Sequence, residues 1–365
     1  NTNKLVQFLK IKKIKKKDRV AAYMPNTIET VEAFIATTAI GAIWSSCSPD
    51  FGVKGVIERF SQINPKILFI TDQYFYNGKQ INIIDRLPEI LQEIPSIENV
   101  VVTNYPGKKL LRNKKKLNKI KVFNWTELMK INSKNMIYSN FDFEHELAIL
   151  YSSGTTGKPK CICHRAGGVL MQHKKEHQLH CEIKENDNIF YFTTCGWMMW
   201  NWLISSLASK ASIVLFDGSP MFKREDLLLK ISDKEKVTLL GVSAKYIDAL
   251  RKLKPTLRYR YKLHKLKIIC STGSPLSNDS FKYVYKNIKK NVHLSSISGG
   301  TDIVSCFVLG NIYQPVHVGE IQNKGLALNV DIFNDKGKPI KNSKGELVCK
   351  NPFPSMPLKF WNDKN

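Results

Sequence analysis

The chain has 365 residues, a length typical of one large domain or two smaller ones. Hydrophobic residues make up 43% of the chain and charged residues 24%, values near the globular average that exclude a disordered or collagen-like chain. The 56 Lys and Arg residues against 31 Asp and Glu residues give a net charge of +25. Nucleic acid and anionic membrane surfaces must therefore be considered as partners.

The cysteines and the apolar runs indicate a cytoplasmic protein. The eight cysteines form no C-x-x-C pair and no dense framework, which favours reduced thiols over a secreted disulfide scaffold. Cys161 and Cys163 could form half of a metal site, but the next cysteine has the wrong spacing. The most apolar segment, residues 198–208, is too short and too polar for a membrane span. The charged first residues are not followed by the apolar run of a secretory signal.

Most of the positive charge falls in three clusters, residues 10–19, 108–121 and 251–267. The first two lie between periodic segments, and we predict solvated loops for them. Only the third interleaves aromatic side chains with cations, as a protein that binds single strands would. Because no nucleic-acid motif accompanies it, a nucleic-acid role is the less favoured interpretation, and a positive field also attracts anionic small molecules.

Short apolar runs alternate with helical patterns along most of the chain. The first predicted strand, residues 20–23, precedes a helix with Thr27 as its N-cap and Gly41 at its end. The buried face of this helix is predicted at Val31, Phe34, Ile35, Thr38, Ala39 and Ala42, and a second helical face at Leu87, Ile90, Leu91 and Ile94. Further strands are predicted at residues 67–70, 100–102, 147–151, 189–192, 213–216, 237–242, 266–270 and 292–297. Strands separated by helices predict an α/β fold with largely parallel sheets.

The pattern changes after about residue 319. Leu328, Val330 and Ile332 alternate with polar residues, residues 335–337 supply a turn, and residues 345–348 form another strand. This is the pattern of a β-hairpin. We therefore predict α/β subdomains over residues 1–318 and the start of a smaller β-rich unit over residues 319–365.

The strongest chemical signal is the loop at residues 151–160, which follows a predicted strand. It contains four hydroxyl residues besides its tyrosine, two glycines and two lysines. Glycines allow backbone N–H groups to close on an anion, while hydroxyls and lysines bind phosphate oxygens. The spacing is not that of a Walker A loop, because Ser152 replaces the first Gly and Pro159 the final Ser or Thr. The alternative is a polar surface turn.

Two further loops of small residues follow predicted strands, at residues 271–277 and 298–302. In α/β sheets, ligands bind beyond the carboxyl ends of the strands. The hydroxyl of Thr301 suits a phosphate group, and the carboxylate of Asp302 suits Mg²⁺. Each loop alone could be a turn and a helix cap, but three such loops together point to a ligand site.

These loops, together with Gly345-Glu346-Leu347, resemble the AMP-forming acyl-CoA synthetases of the adenylate-forming superfamily. Within it they are most similar to the members that activate acetoacetate, as are the motifs at residues 23–26, 41–52, 174–181, 192–202, 271–276, 352–357 and 360–363. The resemblance runs from about residue 18 to 363 and is weakest near residues 108–121. It implies the large N-terminal domain of that superfamily, with stacked, mostly parallel sheets, flanking helices and a smaller β-rich unit.

The same resemblance implies an ATP-dependent ligase that joins acetoacetate to CoA through an acyl-adenylate and releases AMP and pyrophosphate. Its small-molecule partners would be acetoacetate, ATP and CoA, with Mg²⁺ as cofactor and neither nucleic acid nor a membrane span expected. One alternative is a ligase for another short acid, such as butyrate or 3-hydroxybutyrate. From other classes, the alternatives are a basic nucleic-acid-binding protein and a non-catalytic nucleotide-binding protein.

The resemblance also assigns residues to the site. Thr301, Asp302 and Lys160 would be catalytic, with Thr301 at the α-phosphate and Asp302 holding Mg²⁺ where the family usually has Glu. The other assignments are phosphate binding by Ser152, Ser153, Gly154, Thr155, Thr156, Gly157 and Lys160, adenine binding by Gly273, Ser274 and Pro275, and an acyl pocket at Trp197, Trp200, Asn201 and Gly299.

Gly299 carries the argument about acid size. Acetyl-CoA synthetases have a Trp at the matching point, which closes the acyl pocket. We predict that Gly299 opens the pocket to a four-carbon acid; the alternative is that this glycine only permits a tight turn. The family's ribose-binding Asp and catalytic Lys are not found in these residues, so we expect a fragment that does not turn over by itself.

Two other constellations were weighed against this interpretation. His173, His177 and His180 lie at or near helical spacing and could suggest zinc, but the run resembles the synthetases as a whole. Cys195 could be a nucleophile, yet no His is placed nearby in the sequence to activate it.

Overall fold

A computed structural model describes residues 1–105, 120–133, 138–152, 157–253, 257 and 259–363. Its strands, in chain order, are β1 Arg19–Tyr23, β2 Ile43–Cys47, β3 Ile67–Thr71, β4 Gln73–Tyr76, β5 Lys79–Asn82, β6 Asn99–Thr103, β7 Lys121–Asn124, β8 Glu146–Ser152, β9 Lys160–Arg165, β10 Asn188–Tyr191, β11 Ser212–Val214, β12 Leu239–Ser243, β13 Ile268–Thr272, β14 His293–Ser296, β15 Ser298–Gly300, β16 Ser305–Leu309, β17 Asn323–Lys324, β18 Val330–Phe333, β19 Glu346–Cys349 and β20 Lys359–Phe360.

The α-helices are α1 Thr2–Ile11, α2 Ile28–Ala39, α3 Val53–Ile63, α4 Leu87–Glu93, α5 Trp125–Leu128, α6 Ala166–Lys175, α7 Met198–Ser205, α8 Leu227–Lys234, α9 Ala244–Leu253 and α10 Asn278–Tyr283. Two of them continue into π-helical turns: α6 into Glu176–His180 and α10 into Val284–Ile288. Short 3₁₀ segments lie at Ile84–Arg86 and Ser206–Ser209. No helix of the described residues has the length and apolar character needed to cross a membrane.

Two parallel sheets form the frame. The first has the order β20-β9-β8-β2-β1-β3-β6-β7, in which β9 runs opposite to the other strands and therefore pairs antiparallel with both β8 and β20. The second, β11-β10-β12-β13-β14, is parallel throughout. The predicted α/β class with mostly parallel sheets and flanking helices is confirmed.

After β14 the described strands pair only antiparallel. β15, β16 and β17 form a small sheet, and β18 pairs with β19 as the predicted hairpin. The predicted turn is present: Gly337 has a φ of +70° and donates its N–H to Asn334. This pairing begins at Ser298, before residue 319, and β20 returns to the first sheet. The division into residues 1–318 and 319–365 stays a prediction.

Side chains alternate between two apolar clusters on opposite faces of the first sheet. Val20 and Ala22 of β1 belong to the cluster under α1 and α2, whereas Ala21 and Tyr23 belong to the one under α3 and α4. This alternation is the two-residue period of a strand buried on both faces. The first sheet therefore lies between two layers of helices, and its central strands are buried on both faces.

The helical face predicted for the second helix is correct, but the face predicted for α2 is displaced: Val31 and Ala42 are buried, whereas Phe34, Ile35, Thr38 and Ala39 are half-buried. The four residues predicted for the second helix are all buried at α4 or next to it. Thr27 is the N-cap of α2, but its side chain makes no capping hydrogen bond to the described backbone. The positions of α2 that are wholly buried are small ones: Thr30, Ala33, Ala36 and Thr37. Small side chains let α2 approach the sheet more closely than Phe34 and Ile35 would allow.

The loop predicted for the first basic cluster is wrong at its ends. Lys10 and Ile11 complete α1, and Arg19 begins β1. Leu5, Val6, Phe8 and Leu9 of α1 are buried, and the helix packs against α2. In the second cluster, residues 108–119 lie outside the described residues, and Lys121 begins β7.

We predict that Leu9→Ala lowers the free energy of unfolding by about 3 kcal/mol, because Leu9 is fully buried and the truncation leaves a cavity. Urea denaturation measures the change. Ile11→Ala is the matched control in the same helix, since Ile11 is 55% exposed, and it should change the value by less than about 0.5 kcal/mol. Equal effects at the two positions would contradict the packing of α1.

Candidate active site

A cavity of about 390 Å³ lies at the carboxyl edge of the second sheet. Its walls come from the residues that follow β13, from those that follow β14, and from the start of α7. Ser305 and Cys306 of β16 close one side. This is the edge where parallel α/β sheets bind ligands, because loops leave all the strands there in the same direction.

The structure brings three of the predicted groups together at this cavity. Gly273, Ser274 and Pro275 line it beside Thr301 and the predicted acyl-pocket residues Trp197 and Gly299. Gly273 has a φ of +85°, a left-handed conformation that favours glycine and turns the chain as it leaves β13. The adenine, α-phosphate and acid positions thus adjoin one space, although these roles stay predictions.

The predicted phosphate loop connects two antiparallel strands. Ser152, at the end of β8, faces Lys160, at the start of β9. Ser153, Gly154, Thr155 and Thr156 lie outside the described residues, while Gly157 and Lys160 are exposed. A strand rather than a helix follows this loop, in keeping with the conclusion that it is not a Walker A loop.

Two of the predicted acyl-pocket residues do not line the cavity. Trp200 is fully buried, its ring stacks on Trp44 at a centroid distance of 6.2 Å, and its Nε1 donates to Asn26 Oδ1 at 2.9 Å. Asn201 is also buried in α7 and is not among the described lining residues. Successive residues of a helix are rotated by about 100°. Trp200 and Asn201, the third and fourth residues of α7, therefore point away from the cavity that its first two residues line.

Met198 and Met199, which lie within the run from Trp197 to Asn201 predicted for the acyl pocket, line the cavity. They are the first two residues of α7, next to the predicted Trp197. The first turn of α7 thus separates the residues of this run that face the cavity from those that face the core.

The structure gives Gly299 a function in backbone packing. Gly299 lines the cavity, but a Cβ built on it would overlap the carbonyl oxygen of Ser305 and lie 2.6 Å from Cys306 Cα. These atoms belong to β16, which pairs with β15 through an irregular register at this point. Close approach of β16 is therefore sufficient to account for a glycine here. At Gly300 the nearest atom to an added Cβ is Asp302 Oδ2, at 3.6 Å.

Asp302 is exposed in the turn between β15 and β16, directly after Thr301. Within the described residues there is no group of three or more His, Cys, Asp or Glu side chains that could hold a metal ion. Mg²⁺ commonly binds one or two carboxylates together with substrate phosphates. A single exposed carboxylate beside the cavity fits an ion that arrives with a nucleotide.

Buried histidines support the turn that carries Thr301. His173 Nε2 donates to Val304 O at 2.5 Å. His164 is 1% exposed, and burial lowers its pKa to about 4 even though the nearby Thr301 backbone opposes this shift. Neither ring nitrogen of His164 has a hydrogen bond of normal geometry within the described structure. The turn therefore packs against two imidazoles whose pKa values are lowered by burial.

The structure does not support the zinc and cysteine alternatives. His173 also contacts Ser205 Oγ, and His180 contacts both Gly310 O and the N–H of Leu326. The ring nitrogens of these two residues are therefore already hydrogen-bonded to protein groups. The thiol of Cys195 contacts Met24 O at 2.7 Å, and burial raises its pKa well above the usual value. A buried protonated thiol is a poor nucleophile.

A second, larger depression of about 560 Å³ lies at the opposite edge of the second sheet. It is lined by Lys262, His264, Leu266, Lys267, Lys289, Asn291, Val292 and His293. None of the predicted site residues lies there, and it faces the amino ends of β13 and β14. The smaller cavity is therefore the candidate active site.

Comparisons with known proteins point to the same chemistry. A sequence model of the family described as "AMP-binding enzyme" matches residues 1–356. Acetoacetyl-coenzyme A synthetase from Rhizobium meliloti (strain 1021) is 47% identical over 361 residues, 99% of this chain and 55% of that protein. Acetoacetyl-CoA synthetase from Gallus gallus is 47% identical over 352 residues, 95% of this chain and 52% of that protein.

A solved structure has the same fold. Acetoacetyl-CoA synthetase from Streptomyces lividans superimposes with a TM-score of 0.91 at 37% identity, covering 100% of this chain and 55% of that one. The chain thus spans about half the length of the relatives it matches.

We predict that Gly299→Ala lowers the free energy of unfolding by about 2 kcal/mol, because the added methyl group meets the backbone of β16. Gly300→Ala is the matched control and should change it by less than about 0.5 kcal/mol, since the space beside Gly300 is open. Urea denaturation measures both. Equal destabilisation by the two variants would refute the packing function assigned to Gly299.

We also predict that stability falls in acid, because burial lowers the pKa of several histidines: His145, His164, His173, His177, His180 and His293. The unfolded chain binds protons near pH 6.5, whereas folded His164 does so only near pH 4. The free energy of unfolding should therefore fall as the pH drops through this window, by an amount on the order of 1–3 kcal/mol for His164 alone.

Urea denaturation at pH values from 7 to 4 tests this dependence. His164→Asn should flatten the curve, and His264→Asn, which changes an exposed histidine, controls for the loss of a histidine as such. Parallel curves for the parent chain and His164→Asn would show that His164 does not contribute.

Proposed function

The chain belongs to the family of AMP-binding enzymes, and on this premise we propose that it acts as an ATP-dependent ligase that joins acetoacetate to CoA. The reaction would pass through an acyl-adenylate and release pyrophosphate and AMP. The observation that carries the proposal is the convergence of the Gly273 loop, the Thr301 turn and the start of α7 on one cavity. Further support comes from the acetoacetyl-CoA synthetases that are 47% identical to it over nearly the whole chain.

The cavity suits the first half of this reaction, in which a carboxylate attacks the α-phosphorus of ATP. Residues 273–275 would hold the adenine, and the Thr301 hydroxyl would donate to the α-phosphate. Lys160 and the N–H groups of its loop would neutralise the departing pyrophosphate. Such a step needs positioning and charge stabilisation rather than a protein nucleophile.

Asp302 is the residue that would hold Mg²⁺. When bound, this ion neutralises the charge of the phosphate groups. Asp302 follows Thr301 directly, so a carboxylate and a hydroxyl would reach neighbouring phosphate oxygens. In the second half-reaction the thiolate of CoA would displace AMP at the acyl carbonyl.

The walls favour a short, largely apolar acid. The apolar lining of the cavity consists of Trp197, Met198 and Met199 together with Leu276, Ile297, Cys306 and Ile321. Apolar walls recognise an alkyl chain by its length and discriminate weakly between acids of the same length that differ by a hydroxyl group. Butyrate and 3-hydroxybutyrate are therefore the competing substrates, and the names of the relatives favour acetoacetate.

The third basic cluster argues against nucleic acid as the main ligand. Arg260 and Tyr261 turn inward to Asp226, whose carboxylate is buried and also accepts a hydrogen bond from Arg224. Arg258 lies outside the described residues. The ring of Tyr261 is thus engaged with an internal carboxylate and is not available to stack on bases, whereas Tyr259 of the same cluster is exposed.

Acid-dependent exchange between ATP and labelled pyrophosphate tests the proposal, with the protein expressed together with any flanking coding sequence. The acids are acetate, acetoacetate, butyrate and 3-hydroxybutyrate, and acetoacetate should support the fastest exchange. Asp302→Asn should slow this exchange about 100-fold, because phosphate charge is no longer neutralised. Asp302→Glu should restore much of it.

Asp335→Asn is the control, since Asp335 is exposed in the loop between β18 and β19. It should leave exchange unchanged. A faster exchange with another acid would retain the chemistry and overturn acetoacetate as substrate. No exchange with any acid, from a folded protein, would overturn the ligase.

A further inference from the structure

Glu176 is a carboxylic acid residue buried completely next to the candidate active site. It begins the π-helical turn that continues α6. Burying a carboxylate is costly unless hydrogen bonds replace its water, and π-helical turns occur often at functional sites. The neighbours of this side chain therefore indicate what it does.

Four uncharged donors meet the Glu176 carboxylate. Oε1 accepts hydrogen bonds from Ser305 Oγ and from Gln172 Nε2 at 2.9 Å, with a longer contact of 3.4 Å from the N–H of Cys306. Oε2 accepts from Trp202 Nε1 at 2.9 Å. Both oxygens are thus satisfied by donors from different elements.

These donors belong to two elements, β16 and α7, that both contribute residues to the cavity wall. Ser305 and Cys306 are the residues of β16 that line it, and Trp202 belongs to α7, whose first residues also line it. One carboxylate therefore connects the two walls. Gln172 strengthens the β16 side, because its Nε2 also donates to Ser305 Oγ at 2.8 Å.

A second side chain of α6, His173, likewise connects the residue before β16 to α7. His173 Nε2 donates to Val304 O, just before β16, and its Nδ1 lies 2.8 Å from Ser205 Oγ in α7. Helix α6 thus holds both walls through two neighbouring side chains. Their separation is set by hydrogen-bond lengths, which vary little, rather than by apolar contact alone.

Resting on the proposed function of this cavity, we propose that Glu176 is a positioning residue that fixes the distance between α7 and β16 and thereby selects the acid. Glutamine at this position would retain the shape but would present an NH₂ donor to Trp202 or to the donors of β16. Either α7 or β16 would then lose its hydrogen bond to residue 176. Discrimination between short acids should weaken while nucleotide binding persists.

The first test measures exchange kinetics of Glu176→Gln with acetate, acetoacetate and butyrate. We expect the KM for acetoacetate to rise about tenfold and the preference among acids to fall at least threefold, with the KM for ATP changed less than twofold. Glu146→Gln makes the same chemical change at another buried carboxyl, which pairs with Lys17 and Lys359 away from the cavity. It should leave the acid preference intact.

The second test is amide hydrogen exchange, which does not depend on activity. Glu176→Gln should speed exchange in residues 304–306 or 197–203 by at least tenfold, whereas Glu146→Gln should not. If Glu176→Gln fails to fold, Ser305→Ala and Trp202→Phe replace it in this test. Each removes one donor to Glu176, so each should speed amide exchange in the wall to which that donor belongs. Unchanged protection in both walls would overturn the bridging of α7 and β16.

The two proposals fail in different ways. If the parent protein shows no acid-dependent exchange, the proposed function fails, and hydrogen exchange still decides whether Glu176 joins the walls. If the walls loosen but the acid preference is retained, the selection of the acid by Glu176 is overturned while the ligase stands. A uniform loss of kcat with unchanged acid ranking would likewise indicate a merely structural residue.

Discussion

A small set of buried polar contacts joins the two sheets, and the candidate site depends on it. Ser46 Oγ, at the end of β2, donates to Cys195 O at 2.6 Å, and the Cys195 thiol contacts Met24 O, just after β1. Trp200 Nε1 completes the junction through Asn26. Because these bonds lie at the carboxyl edges of both sheets, they hold the segment before α7 where Trp197 begins the cavity wall.

Helix α7 consequently has two different functions on its two sides. Trp200 and Ile204 belong to the apolar cluster of the first sheet, whereas Met198, Met199 and Trp202 belong to that of the second. The cavity therefore has a rigid wall, because α7 cannot shift without disturbing both cores. In the proposed ligase, this rigidity would let hydrogen bonds from α6 define the width of the acid site.

Much of the fold was predictable because burial imposes a period on each element. Strands such as β3 and β6 are continuous apolar runs, and the apolar positions of α4 recur at helical spacing. Helix α1 escaped prediction because its apolar residues lie among lysines that resembled a loop. The loops at Gly273 and Thr301 were predictable as a site, since small polar residues after parallel strands share one edge.

The remaining parts of the site depend on contacts between distant residues. Gly299 is explained by the backbone of β16, and Trp200 by a ring in β2, neither of which a local pattern reveals. Glu176, between histidines and lysines, is typical of a solvated helix surface in the sequence. Only the packing of α6 on Ser305 and Trp202 shows that its carboxylate is internal.

The order of strands in the first sheet also bears on synthesis of the chain. β9 pairs with β8 within a few residues, but its other edge is covered by β20, about 200 residues later. Until Lys359 and Phe360 leave the ribosome, β9 presents unpaired backbone groups, and such edges recruit other strands. The strand that carries Lys160 thus waits through about 200 further residues of synthesis before β20 covers its outer edge.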